Sequence, residues 1–356
     1  MTSLAQFMED ALYGSNGYYS AGHAQTGTCG DYFTAPETGD AFGRLLAAIF
    51  QQWELRLSAN PFHLIEVGAG EGRLTRAILK ASEKPPAYLA IERSAARREK
   101  IRLLNLPIQI FSDFSELKNK SIAGVIFANE LIDAFPVHRV RMKNGKLEEA
   151  YVGSGEMSLG WSGTSTPRLA AYFDRLKIIL PEGYETEVNL GMADWVHDAS
   201  IVLKRGLIVL IDYGRPAWDY YAEERTGGTL RGFKDHRVLG LSELLAAGSQ
   251  ADWTSDVDFT SLALDAKEAG LEPLAFMEMG TFLKMGMQNA ECGVRNKNKF
   301  PSAAYSEIRT PNSAFKYLLH PDGLGAQFHV LILGKNLDSR EWTFEHNLIG
   351  RLGLSV

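Results

Sequence analysis

Cysteine is nearly absent from the 356 residues: Cys29 and Cys292 are the only two, which excludes a disulfide framework and a thiolate zinc site, and no other metal site is expected. Apolar runs of membrane-spanning length are missing, so no transmembrane helix is expected. Basic residues are outnumbered, 37 Lys and Arg against 43 Asp and Glu for a net charge of -6, and such a chain is a poor partner for nucleic acid. The opening residues, MTSLAQFMEDALYG, lack both a basic-then-apolar signal region and the Arg-rich character of a transit segment, so a cytoplasmic chain of bacterial type is the expectation. Neither an internal repeat nor a long linker divides the sequence. What is present is a composition 45% hydrophobic and 22% charged, long enough to bury a large core.

The chain is organised around FHLIEVGAGEGRLTRAILK, residues 62–80. His63, Leu64, Ile65 and Val67 read as a buried strand, Gly68, Gly70 and Gly72 as a sharp turn, and Leu74, Ala77 and Ile78 recur at helical spacing. A strand, a glycine turn and a helix N-terminus in that order form the arrangement that nucleotide cofactors use in open α/β sheets. Glu71 inside the loop and Glu66 before it would serve a diphosphate poorly, and they suit a cationic or amino-acid ligand better. The pattern E-V-G-A-G-E-G is similar to the first motif of class I S-adenosylmethionine (SAM) methyltransferases. A dinucleotide site and a glycine turn without a ligand remain the alternatives at this point.

Acids recur at the ends of the strands that follow. Ala87 to Ile91 reads as a second strand ending at Glu92, about 20 residues past the glycines, where a carboxylate suits both hydroxyls of a ribose. A third strand, Pro107 to Phe111, leads to Asp113 and Phe114, either an adenine contact with a covering ring or a helix N-cap. A fourth, Ala123 to Ala128, opens into Asn129, Glu130 and Asp133, the best candidates for the chemistry, with helix capping as the competing account. Lys143-Asn144-Gly145-Lys146 marks a tight hairpin that interrupts the α/β alternation. A fifth strand, Gly206 to Ile211, ends in Asp212-Tyr213-Gly214. Residues 215–260 carry few regular signals and read as a polar, aromatic lid or binding loop. Near the N-terminus a polar loop holding Thr34, Pro36 and Glu37 runs into a helix from about Asp40 to Leu57; it is either a cap or a ligand lid, and physical reasoning alone favours the cap.

Six ordered stretches together resemble the MidA-like family: GDYFTAPET at 30–38, IEVGAGEGRL at 65–74, FANELIDAFPVHRV at 127–140, IDYG at 211–214, GTLRGFKDHR at 228–237 and DWTSDVDF at 252–259. Mitochondrial members of that family are complex I assembly factors that methylate an arginine of an NADH dehydrogenase subunit. The resemblance implies a class I SAM-dependent methyltransferase fold, a Rossmann-like doubly wound α/β sheet with an N-terminal helical region and an inserted hairpin and helical segment. It implies a helical region and SAM lid over residues 1–58 and a methyltransferase domain over 59–356, with an insertion at about 137–190 and a substrate-side loop at about 215–260.

Carried over residue by residue, the resemblance makes Gly68 and Gly70 the loop on the methionine side of SAM, with Glu66 beside it, Glu92 the ribose acceptor, and Asp113 with Phe114 the adenine contact. It turns Thr34, Pro36 and Glu37 into the SAM lid, and it puts Asn129, Glu130 and Asp133 at the catalytic edge, Asn129 also touching the cofactor. Departures fall at Thr38-Gly39-Asp40, at Arg44 and at Glu71, and they bear on the acceptor more than on the cofactor. The expected activity is methylation of an arginine in a protein substrate, a respiratory NADH dehydrogenase subunit being the named candidate, and a homodimer is compatible with the chain. A SAM-binding assembly chaperone with vestigial catalysis is the alternative, and a nicotinamide dehydrogenase a weaker one that the loop spacing disfavours.

Overall fold

The apolar run His63–Val67 is buried along nearly its whole length, which requires a strand on each side and helices above and below. The computed structural model describes residues 1–21, 40–82, 84–118, 121–153, 158–295, 318–320 and 323–354, with backbone alone for 288–295. In it His63–Val67 (β1), Ala87–Ile91 (β2), Gln109–Phe111 (β3), Ile122–Asn129 (β4), Leu203–Arg215 (β5), Glu272–Glu278 (β6) and Phe328–Lys335 (β7) form one sheet. Their order across it is β6-β7-β5-β4-β1-β2-β3. β1 to β5 pair in parallel, while β7 runs antiparallel to both of its neighbours, β5 and β6.

Alternation along the strands divides the core in two. Leu64, Phe127, Val209 and Ile332 meet the helices Asp40–Leu57, Arg73–Ala81 and Met279–Arg295 on one face. Ile65, Ile126, Ile208 and Leu331 meet Gly191–Val202 and Phe259–Glu268 on the other. This is the doubly wound class I methyltransferase fold. Strand order reverses where β1 lies between β2 and β4, and ligands of such sheets bind beyond the carboxyl ends at that point.

A second layer sits on the carboxyl rim. His138–Lys143 and Lys146–Val152 make the hairpin expected from Asn144-Gly145, both turn residues being left-handed, with φ 50° and 67°. Glu185–Val188 and Leu159–Gly163 extend that sheet, and Thr2–Ser3 pairs with its Tyr151 and Val152. The helix Leu4–Tyr13 therefore packs with the insertion: its Leu4, Met8 and Leu12 cluster with Val152, Leu230 and Trp253, whereas Asp40–Leu57 belongs to the main sheet. The two helices thus belong to different hydrophobic clusters.

Residues 215–260 are also more regular than expected. Arg231–Lys234, Arg237–Leu239 and Asp252–Thr254 form a three-stranded antiparallel sheet around a fully buried Trp253, with short helices at Ala217–Tyr220 and Leu241–Ala247. The hairpin turn is Asp235-His236, with φ 49° and 58°.

Candidate functional site

At the carboxyl end of β1 the chain turns through Gly68 with φ +75°, where an added Cβ would lie 2.9 Å from Leu131 Cδ1. Glycine is needed there for conformation, since the Leu131 methyl can shift but the positive φ cannot be avoided. Gly70 needs it for conformation alone, since at φ +57° a Cβ would meet nothing within 4 Å. The Gly70 N–H donates to Glu92 Oε2 at 2.8 Å and the Ser94 N–H to Glu92 Oε1 at 2.8 Å. Two backbone donors thus clamp the Glu92 carboxylate at the end of β2, and each oxygen keeps a lone pair for a further donor.

Glu92 faces a cavity of about 680 Å³ whose wall also includes Gly68, Asp113, Phe114, Glu130 and Trp195. Phe114 and Trp195 meet edge to face with centroids 5.7 Å apart, an aromatic corner of the kind a flat ring packs against. Asp113 caps the 3-10 turn Phe114–Leu117 through the Ser115 N–H at 2.7 Å, and it also lies on the cavity wall.

The middle strand, β4, delivers the remaining groups. Glu130 reaches the cavity wall from a left-handed backbone, φ +52°, which a non-glycine residue adopts only when its surroundings impose it. Its Oε1 accepts from Asn129 Nδ2 at 3.0 Å and its Oε2 from the Tyr213 hydroxyl at 3.4 Å. Asn129 Oδ1 is buried without a hydrogen-bond partner among the described residues.

Two expected residues stand elsewhere. Asp133 lies off the cavity wall, buried and accepting from Thr254 Oγ1 at 2.8 Å, and burial pushes its carboxyl up to about 6. Glu66 points between sheet and helix, accepting from Thr75 Oγ1 and Tyr88 OH at 2.5 Å each, and burial raises it to about 7. The strand pleat explains this. Val67 and Gly68 reach the cavity while Glu66, one residue earlier, is turned away from it. Thr34, Pro36 and Glu37 lie outside the described residues.

Tyr13 and Tyr19 line the cavity without having been singled out, because the N-terminal helix and its GYY stretch read as packing. The Tyr13 hydroxyl donates to Ala134 O at 3.0 Å and that of Tyr19 to Asp252 Oδ1 at 2.5 Å, fixing both rings. Arg93 lies over the Tyr13 ring at 4.3 Å and Arg97 over the Tyr19 ring at 4.7 Å.

The donor set fits an S-adenosyl nucleoside. The cavity volume lies in the range of small-molecule sites, about 300–1,000 Å³. Glu92 suits a ribose diol, the Phe114 and Trp195 corner a purine, and Glu130 the cationic end. No cluster of His, Cys, Asp and Glu among the described residues could hold a metal ion, and no helix among them is long and apolar enough to cross a membrane.

Comparison with known proteins agrees with this geometry. The sequence model of a family described as "Putative S-adenosyl-L-methionine-dependent methyltransferase" matches residues 41–277. The chain is 26% identical over 373 residues to the mitochondrial protein arginine methyltransferase NDUFAF7 of Rattus norvegicus, covering 93% of this chain and 80% of that protein. It is 24% identical over 370 residues to the NDUFAF7 homologue of Drosophila melanogaster, with the same coverage of 93% and 80%. A crystal structure from Burkholderia thailandensis, bound to S-adenosyl-homocysteine, shares the fold with a TM-score of 0.78 at 24% identity, over 94% of this chain and 88% of that one.

Proposed function

Because the chain belongs to the family of S-adenosyl-L-methionine-dependent methyltransferases, we propose that it methylates a guanidinium nitrogen of an arginine side chain in a protein, an NADH dehydrogenase subunit being the first acceptor to test. When bound, SAM supplies a methyl carbon already activated by its sulfonium, so the protein's task is to place the nucleophile. Gly68, Glu92, Asp113 and Phe114 are the residues that would hold the nucleoside.

One observation carries the acceptor reading: Glu130, on the cavity wall at the end of β4, is held in a left-handed conformation. A carboxylate so placed can take two guanidinium N–H groups in parallel and orient the third nitrogen. A guanidinium nitrogen that gains a methyl must shed a proton, and Glu130 Oε2, 3.4 Å from the Tyr213 hydroxyl, is the acceptor on the wall. The names of the mitochondrial relatives support the same acceptor chemistry.

Glu130→Gln keeps the shape and removes the charge. It is expected to bind S-adenosylhomocysteine within about twofold of the parent in calorimetry, while losing about 100-fold or more in turnover. The assay is transfer of labelled methyl from SAM to extract of a strain lacking the protein, followed by amino-acid analysis for methylarginine. Undiminished methylarginine in the variant refutes the role of Glu130, and label on another residue type refutes the acceptor.

A further inference from the structure

Residues 131–134, directly after the left-handed Glu130, have nearly every backbone group spoken for, and the partners come from four different parts of the chain. Asp212 Oδ2, at the end of β5, accepts the N–H groups of Leu131 at 3.2 Å, Ile132 at 2.9 Å and Asp133 at 3.3 Å. Its Oδ1 accepts the Tyr213 N–H at 2.9 Å. The carbonyls go elsewhere: Ile132 O to Asn189 Nδ2 at 3.2 Å, Asp133 O to the Ser255 N–H at 3.0 Å and Ala134 O to the Tyr13 hydroxyl at 3.0 Å. Glu130 itself donates its N–H to Ile211 O at 2.9 Å. Among these partners Asp212 alone holds three consecutive N–H groups. Three such groups converging on one oxygen form a concave anion site, here filled by a side chain from the neighbouring strand.

Asp212 is buried, 2% exposed, with no part in the cavity wall. Burial and the nearby Asp133 and Glu130 push its carboxyl up. Its four contacts are all N–H donors, which favour the carboxylate and oppose that rise. A buried charge with four N–H partners is costly to place and rigid once placed. Its cost falls on the segment that keeps Glu130 at φ +52°.

We propose that Asp212 is the positioning residue of the methyl-acceptor site: by gathering the amides of residues 131–133 it fixes the backbone that aims the Glu130 carboxylate into the cavity. The inference rests on the reading of Glu130 as the acceptor's clamp, and it adds a residue that touches neither cofactor nor acceptor. It also accounts for the IDYG stretch as a device of the adjacent strand.

Asp212→Asn, Glu130→Gln and the parent chain separate the possibilities. Hydrogen–deuterium exchange of the peptide spanning 129–135 is expected to rise about tenfold or more in Asp212→Asn and to stay at the parent level in Glu130→Gln. S-adenosylhomocysteine affinity stays within about twofold in both. With S-adenosylhomocysteine present, the affinity of the probe N-acetyl-arginine methylamide falls about tenfold in both variants. Unchanged exchange in Asp212→Asn overturns the proposal. So does exchange raised over the whole chain with loss of S-adenosylhomocysteine binding, the mark of a merely structural residue, and so does normal probe binding in Asp212→Asn where Glu130→Gln loses it. If Glu130→Gln binds the probe normally, the acceptor reading fails, and the exchange measurement still decides whether Asp212 holds the segment. Should Asp212→Asn not fold, Asp212→Glu, which moves the charge by one methylene, carries the same expectations.

Discussion

Three glutamates near the rim have three different fates, decided by what surrounds each carboxylate. Glu66 is buried against two hydroxyls, and its carboxyl rises from 4.5 to about 7. Between those values the folded chain keeps a proton that the unfolded chain has lost, so this group's contribution to stability falls as pH rises through that window, by at most about 1.4 kcal/mol per pH unit. Glu66→Gln, fixed in the neutral form, is expected to flatten that stretch of the profile, as melting temperatures from pH 4.5 to 7.5 would show. A parallel profile would mean that Glu66 is charged in the fold. Glu92, clamped by Gly70 and Ser94, has lone pairs to offer. Glu92→Gln is expected to weaken S-adenosylhomocysteine by about 1.5–3 kcal/mol in calorimetry, and to lower the melting temperature without ligand as well, since an amide can accept from only one of the Gly70 and Ser94 N–H groups. Sequence alone placed Glu92 and Glu130 at strand ends, where they stand. The direction in which Glu66 faces was not legible, because it depends on the pleat within a strand buried on both sides, where apolar alternation gives no sign of direction.

At the scale of elements, the two tight hairpins differ in how openly they announce themselves. Asn144-Gly145 tolerates left-handed backbone at little cost, and both residues adopt it. Asp235-His236 takes the same conformation with two side chains that carry a penalty for it, so nothing in the sequence marked a turn there. The strands it joins, Arg231–Lys234 and Arg237–Leu239, are four and three residues long, below the length at which alternation can be read. Replacing Asp235-His236 by Asn-Gly is expected to stabilise the chain by roughly 0.4–1 kcal/mol in denaturant melts. A destabilised variant would show that the contacts these two side chains already make are worth more than the strain. The role of Asp212 was not legible for a related reason: its partners are backbone amides some 80 residues away, just past the end of the adjacent strand, and only the pairing of β4 with β5 brings them together.

Over the whole molecule the sheet is the part most open to reading, since each parallel strand is a short apolar run ending in a polar group, and the order β3-β2-β1-β4-β5 follows from right-handed crossovers. How the upper layer docks was less open, because it depends on buried ion pairs between distant segments. Arg139 donates to Glu187 at 2.6 Å and to Glu185 at 2.8 Å, and Glu187 also accepts the Thr229 N–H at 2.7 Å, tying the inserted sheet to the loop before Arg231. Arg139→Met strands the fully buried Glu187 carboxylate and is expected to cost about 3–5 kcal/mol, read as a lowered melting temperature that partly recovers in Arg139→Met with Glu187→Gln. These layers matter because they line the cavity over the reversal between β1 and β4, where the account places the nucleoside. Diffraction from crystals soaked in S-adenosylhomocysteine tests that most directly. The account predicts density with the ribose at Glu92, the purine between Asp113 and the Phe114–Trp195 corner, and the sulfur end toward Glu130; density at any other surface, or an empty cavity at saturating ligand, would contradict it.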